Sequence, residues 1–393
     1  MVTEPPPALP DRVTSLEPTK IRTMVALAAE QDGDLVHLEI GEPDFDTPEH
    51  VVEAATEAAR AGKTTYTTGR GVPELREAIA EKSAREHDLE LDPGGEVMVA
   101  SGAMEAICLA LLTVAEAGSD VVIPTPAWPN YVIQARIADA NPVQVAMPAE
   151  RGFDLDPDRV ADAMSGDTAA VVLNSPSNPT GRIHDPDAVE RVVEAAAEHD
   201  AYVIADEVYS SLTFEGDSRS MVADVADRDR VLVVNSCSKQ YAMTGWRVGW
   251  LAGPERLIDN AVMLHPGTTL CASTPAQYAA VGALTGPQEP IRAMHDAFAE
   301  RRDYVADRVD ALPEVTAATP EGAFYAFLDM SAVPGTSFEI SKRLLREHGV
   351  VTTPGDGFGP GGEGYVRLSF ANSTERIGEG FDRIEAFLHE ELG

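Results

Sequence analysis

Lys239 lies in the run "VVNSCSKQYAMTGWRVGW", residues 233–250, and is one of only five lysines in the chain. An amine at the end of an apolar strand-like run becomes nucleophilic when burial or a cationic neighbour lowers its pKa, and it then condenses with aldehydes. Ser236 and Ser238 flank it, and Arg247 follows after a short glycine-containing turn. Two hydroxyls and a guanidinium suit a phosphate dianion, which arginine chelates through parallel hydrogen bonds. The set points to an aldehyde that carries a phosphate. Taken alone, a surface lysine beside two turn serines is the commoner reading.

Other residues add to this picture. "VASGAMEAI" runs from a strand into a helix through Gly102, Ala103 and Met104; free amides at a helix start hold phosphate, and glycine permits close approach. An ordinary strand-to-helix turn has the same composition. "AYVIADEVY" ends a buried strand at Asp206, a carboxylate that is costly there unless paired. Against a pyridine nitrogen it would keep that nitrogen protonated, and Tyr209 would reach the ring's phenolic oxygen; the alternative is a helix N-cap. Asn178 in "NSPSNPTG" is either a turn residue or a second donor to that oxygen. Trp128 in "PTPAWPNY" either fills core or stacks on a flat ring. Arg367 sits within the alternating apolar run "GYVRLSF", where an arginine needs an anion such as a substrate α-carboxylate. An aldehyde with a phosphate and a pyridine ring is pyridoxal phosphate.

The elements that must position these residues follow from the apolar pattern. From about residue 95 to 253, Val- and Ile-rich runs alternate with helical runs such as "MEAICLALLTVAEAG" and "DPDAVERVVEAAAEHD". Strands apolar on both faces, interleaved with helices, predict an α/β fold with a mostly parallel sheet covered on both sides. The polar residues above fall just past the strands' C-terminal ends, where open α/β sheets bind ligands. "PQEP" at 287–290 breaks the pattern, and the remainder reads as a smaller α+β domain. The expected division is a large domain over 46–288 and a small one from 1–45 plus 289–393.

Charge narrows the partners. With 30 basic and 65 acidic residues the net charge is −35, which opposes binding to nucleic acid or an anionic membrane. Self-repulsion of that size calls for salt screening, as in a halophile's cytoplasm. No apolar run is long enough to span a membrane, and "MVTEPPPALPDR" reads as a frayed lead-in rather than a secretory signal. The expected location is cytoplasmic. Cys108, Cys237 and Cys271 show no disulfide or zinc spacing, and the nine histidines show no metal motif. "GRGVPE" and "GDGFGPGG" lack the setting of a nucleotide loop.

The segments "LEIGEPDFDTP", "YTTGRGVPELREAIA", "SNPTG", "ADEVY", "SCSKQYAMTGWRVGW" and "YVRLSFA", in this order, resemble the pyridoxal-phosphate-dependent aminotransferases of fold type I, class I/II, aspartate-aminotransferase-like. The resemblance implies that Lys239 forms the internal Schiff base and shuttles a proton, and that Asp206 pairs with the ring nitrogen. It implies that Tyr209 and Asn178 bind the ring oxygen and that Trp128 stacks on the ring. Ser236, Ser238, Arg247 and the amides of Gly102, Ala103 and Met104 would hold the phosphate. Tyr66 would reach the cofactor of a neighbouring subunit in a homodimer, and Arg367 with the Gly41 backbone would grip the α-carboxylate. Relatives that favour dicarboxylic substrates often carry a lysine where this chain has Met104; Arg70 is a candidate replacement. Amino transfer from an L-amino acid to a 2-oxo acid is the leading activity. A lyase eliminating a β- or γ-substituent, or a non-catalytic effector module, would use the same residues.

Overall fold

The computed structural model describes residues 9, 11–14, 16–216 and 218–393; most of the expected lead-in lies outside them. Among the described residues there are twelve strands: β1 (Val36–His37), β2 (Val97–Ala100), β3 (Asp120–Thr125), β4 (Asn141–Ala146), β5 (Thr168–Asn174), β6 (Tyr202–Asp206), β7 (Val231–Ser236), β8 (Gly249–Ala252), β9 (Tyr325–Asp329), β10 (Val350–Val351), β11 (Thr353–Pro354) and β12 (Tyr365–Ser369). Seven of them form one sheet in the order β2-β8-β7-β6-β5-β3-β4. Only β8 runs against its neighbours, so the sheet is mostly parallel, as the apolar runs require.

Successive residues of the central strands serve opposite faces. Val171, Leu173, Val203 and Val231 enter one apolar cluster, whereas Ala170, Val172, Ile204 and Leu232 enter another. Helices cover both faces, which is why these strands carry no polar alternation. The helix Ala103–Val114 follows β2 directly through Ser101 and Gly102. Gly102 has φ +84°, a backbone that favours glycine. The helix Glu289–Asp310 begins within "PQEP", with Pro290 in its first turn, where the missing N–H costs nothing.

Beyond that helix, β11, β12 and β9 form an antiparallel sheet. β1 pairs in parallel with β10, joining the chain's early segment to its last third. On β12, Arg367 lies opposite Thr353 on one side and Phe327 on the other. The small sheet thereby delivers a guanidinium to the loop that follows β5 in the large one.

Candidate active site

The C-terminal ends of three adjacent strands supply the floor of one cavity. Asn174 of β5 is in register with Asp206 of β6, and Asp206 with Val234 of β7; Ser236 ends β7 two residues further on, on the same face as Val234. The cavity has a volume of about 300 Å³, and Gly41, Ala103, Met104, Trp128, Asn178, Asp206, Tyr209, Ser236, Ser238, Lys239, Arg247 and Arg367 all line it. Residues separated by more than 300 positions thus meet at one point. Gly102 lies just behind: a Cβ there would come within 2.6 Å of Arg247 Nη2. Tyr66 does not line its own chain's cavity and is 82% exposed.

Lys239 follows β7 in the turn that carries Ser236 and Ser238. Its Nζ donates to the Gly41 carbonyl at 2.6 Å, and burial lowers its pKa to about 8. This is the desolvation that makes an amine nucleophilic near neutral pH. Arg247 has φ +56° and its Nη1 donates to the Thr244 carbonyl at 2.7 Å. The Gly102 N–H is already bonded to Ala100, so the amides of Ala103 and Met104, first in the helix, are the ones without intrahelical acceptors.

Asp206 is buried, and burial raises its pKa to about 6. No helix starts there; the chain turns instead, so an N-cap role does not account for it. Its Oδ2 accepts from the Tyr131 hydroxyl at 2.6 Å and its Oδ1 from the Val208 N–H at 3.2 Å. The Asn174 side chain donates to the Asp206 carbonyl at 3.0 Å and accepts from the Asn178 N–H at 2.9 Å. Tyr209 shares a 2.8 Å hydroxyl contact with Tyr325, and burial raises its pKa well above the ordinary value.

Arg367 is 1% exposed. It donates to Asn178 Oδ1 at 3.1 Å, to Thr353 Oγ1 at 3.3 Å and to the Glu39 carbonyl. Among the described residues no carboxylate forms an ion pair with it, and its Nε has no partner. The guanidinium lies over the Tyr325 ring, 4.5 Å from the centroid. A buried cation held only by neutral groups is a costly arrangement that an incoming anion relieves.

Tyr131, Asn174, Tyr325, Thr244 and Ile21 also line the cavity and were not singled out in the sequence. Asn174 and Tyr131 had a signal: one ends a parallel strand, and the other lies one helical turn past Trp128. Ile21 and Thr244 had none. Arg70 does not line this chain's own cavity: its guanidinium pairs with Asp259 and donates to the Gly95 carbonyl at 2.7 Å.

The chain matches the family "Aminotransferase class I and II" over residues 33–384. It belongs to that family. The aspartate aminotransferase of Pyrococcus abyssi is 38% identical over 388 residues, covering 98% of this chain and 99% of the relative. The solved aspartate aminotransferase of Thermus thermophilus with maleate has a TM-score of 0.90 at 38% identity, with 97% and 99% of the two chains covered. The aromatic aminotransferase of Pyrococcus horikoshii OT3 gives 0.88 at 36% identity, with 94% and 99% covered. The fold is that of the fold type I aminotransferases, and this aminotransferase, like its family, uses pyridoxal phosphate. Full-length relatives named as aminotransferases favour amino transfer over elimination.

The residues present fit that cofactor. A nucleophilic amine, a buried carboxylate and a guanidinium beside a helix start face one cavity, matching an aldehyde, a protonated ring nitrogen and a phosphate. Arg367 is left over, with no partner ion of its own.

Proposed function

We propose that this aminotransferase takes the amino group of an L-amino acid with an uncharged side chain and passes it to a 2-oxo acid in ping-pong order. Pyridoxal phosphate, when bound, supplies an electron sink that acidifies the donor's α-carbon. Lys239 holds the aldehyde end and carries the proton to and from that α-carbon. Asp206 keeps the ring nitrogen protonated, Trp128 covers a ring face, and Tyr209 and Asn178 donate to the ring oxygen. Arg247, Ser236, Ser238 and the amides of Ala103 and Met104 bind the phosphate. Arg367 and the Gly41 backbone orient the α-carboxylate.

The observation that carries the reading is the charge inventory of the cavity. Its lining cations are Lys239, Arg247 and Arg367. The aldehyde, the phosphate and the α-carboxylate use all three, so this chain's own lining leaves none for a second carboxylate. Ile21 and Met104 line the remaining wall, and the Glu42 carboxylate accepts from the lining Thr244 hydroxyl. A distal carboxylate would therefore meet apolar surface and a like charge. Half-reaction spectra in high salt test this: leucine or phenylalanine should convert the cofactor faster than aspartate. Aspartate in first place would refute the substrate class, and no conversion by any amino acid would refute amino transfer.

A homodimer belongs to the same proposal. Tyr66, Met263 and Leu270 are exposed; Met263 lies in the last turn of the helix Glu255–Leu264, and a 2.7 Å contact from His265 Nδ1 to the Gly69 carbonyl ties the segment after that helix to the loop that carries Tyr66. An apolar surface of this kind suits a second copy, which would receive Tyr66 at its cofactor. Sedimentation in high salt checks it. The division into a domain over 46–288 and one from 1–45 plus 289–393 is supported by the apolar cluster around β9 and β12, whose buried members come from the second set except for Tyr209 and Leu212. The charge of −35 supports a salt-rich cytoplasm as the working environment.

A further inference from the structure

We propose that Tyr131 is a positioning residue for the cofactor ring, acting through Asp206. The inference rests on the reading that Asp206 faces the ring nitrogen. Tyr131 and Asp206 are 75 positions apart, both buried, and joined by a 2.6 Å bond in which the phenol donates to Oδ2. Both residues line the cavity, so the bond lies at the wall that meets the cofactor.

The chemistry of the donor matters. A lysine or arginine in this place would cancel the carboxylate's charge and weaken its hold on a protonated ring nitrogen. A phenol stabilises the ionised carboxylate but leaves its charge intact. Burial keeps Tyr131 protonated by raising its pKa well above the ordinary range, so it remains a donor throughout the working pH. Its bond also opposes the burial that pushes Asp206 upward. The other charged or titratable groups acting on Asp206 are Lys239, Glu207 and Tyr209, and none of them donates a hydrogen bond to it.

Tyr131 also acts on the ring's other neighbour. Its ring meets Trp128 edge to face, with centroids 5.4 Å apart and planes at 83°. The helix Asn130–Ile137 starts two residues after Trp128, with Pro129 between them, so one residue braces both the indole over the ring face and the carboxylate at the ring edge. That is how a supporting shell fixes a binding group within a few tenths of an ångström.

Tyr131→Phe keeps the aromatic contact and removes only the hydroxyl. The holoenzyme variant should release pyridoxal phosphate about 10-fold or more readily, the scale for losing a hydrogen bond to a charged group. The pH midpoint of its visible absorbance band should shift, and kcat should fall while the donor KM, set by Arg367, stays put. The double variant with Asp206→Asn decides the route: Tyr131→Phe should add little once the carboxylate is gone. An equal penalty in both backgrounds, or unchanged cofactor release and absorbance in the single variant, overturns the inference. If Asp206→Asn alone leaves cofactor binding and turnover intact, the underlying reading of Asp206 fails instead, and the inference fails with it. Should Tyr131→Phe not fold, Tyr131→His restores an N–H donor and must recover cofactor binding; failure to do so also overturns the inference.

Discussion

Arg367 Nη1 donates to Asn178 Oδ1 at 3.1 Å across 189 positions of sequence, linking β12 of the small sheet to the loop after β5. The contact holds the guanidinium at the cavity without neutralising it. Arg367→Leu should therefore raise KM for every carboxylate donor and lower kcat/KM by about 10- to 100-fold, the range for a charge-assisted hydrogen bond. Cofactor absorbance should persist, because the phosphate site is elsewhere. Steady-state kinetics with amino acids and with amines lacking the carboxylate check this. Equal use of such amines by the parent enzyme would remove the role assigned to Arg367.

Lys239 should capture its aldehyde as a base with a pKa of about 8. In the apoenzyme, the rate of pyridoxal phosphate uptake is expected to rise with pH and level off above that value. An ordinary lysine would continue to gain up to ~10.4. Stopped-flow absorbance across this range distinguishes the two. Borohydride should tag the peptide containing Lys239, and Lys239→Ala should lose both the tag and turnover while the phosphate clamp still retains some cofactor. Measurable transamination by that variant would contradict the assignment.

Much of this site is legible in the sequence. The runs ending at Asn174, Asp206 and Ser236 are apolar on both faces, which only a covered, mostly parallel sheet satisfies, and the polar residues at their ends mark the ligand side. Arg367 stood out because a cation inside an apolar strand needs an anion. The reversal of β8 was not legible, since strand direction leaves no trace in a four-residue apolar run. Glu42, Ile21 and Thr244 escaped notice for a different reason. They lie in turns or at the start of a helix, and only the approach of distant segments gives them neighbours, as when Glu42 meets Thr244 across 202 positions. For Arg70, the sequence says nothing of its pairing with Asp259.

Gly102 has φ +84° and ψ 168°, a region open essentially to glycine alone. A Cβ there would also stand 2.6 Å from Arg247 Nη2. Gly102→Ala is expected to cost about 1–3 kcal/mol in backbone strain and to push the guanidinium off the phosphate position. Equilibrium dialysis should show a larger loss for pyridoxal phosphate than for pyridoxal, which lacks the phosphate. Equal losses for the two ligands would place the damage outside the phosphate site.

Glu207 is buried beside Asp206, and burial raises its pKa from an ordinary 4.5 to about 7. Its Oε1 accepts from the Ser220 hydroxyl at 2.6 Å and from the Met221 N–H at 2.9 Å. Because the folded-state pKa is raised, the folded chain binds more protons than the unfolded chain between the two values. This carboxyl therefore contributes most to stability below the lower value, and the contribution is lost as pH rises through about 7. At ~1.36 kcal/mol per pKa unit, the effect approaches roughly 3 kcal/mol. Glu207→Gln keeps the oxygen that accepts both bonds and removes the titration. Urea unfolding at high salt should show the variant gaining on the parent by about that amount between acidic and mildly alkaline pH. A difference between the two proteins that stays constant with pH would mean that Glu207 does not titrate in this window.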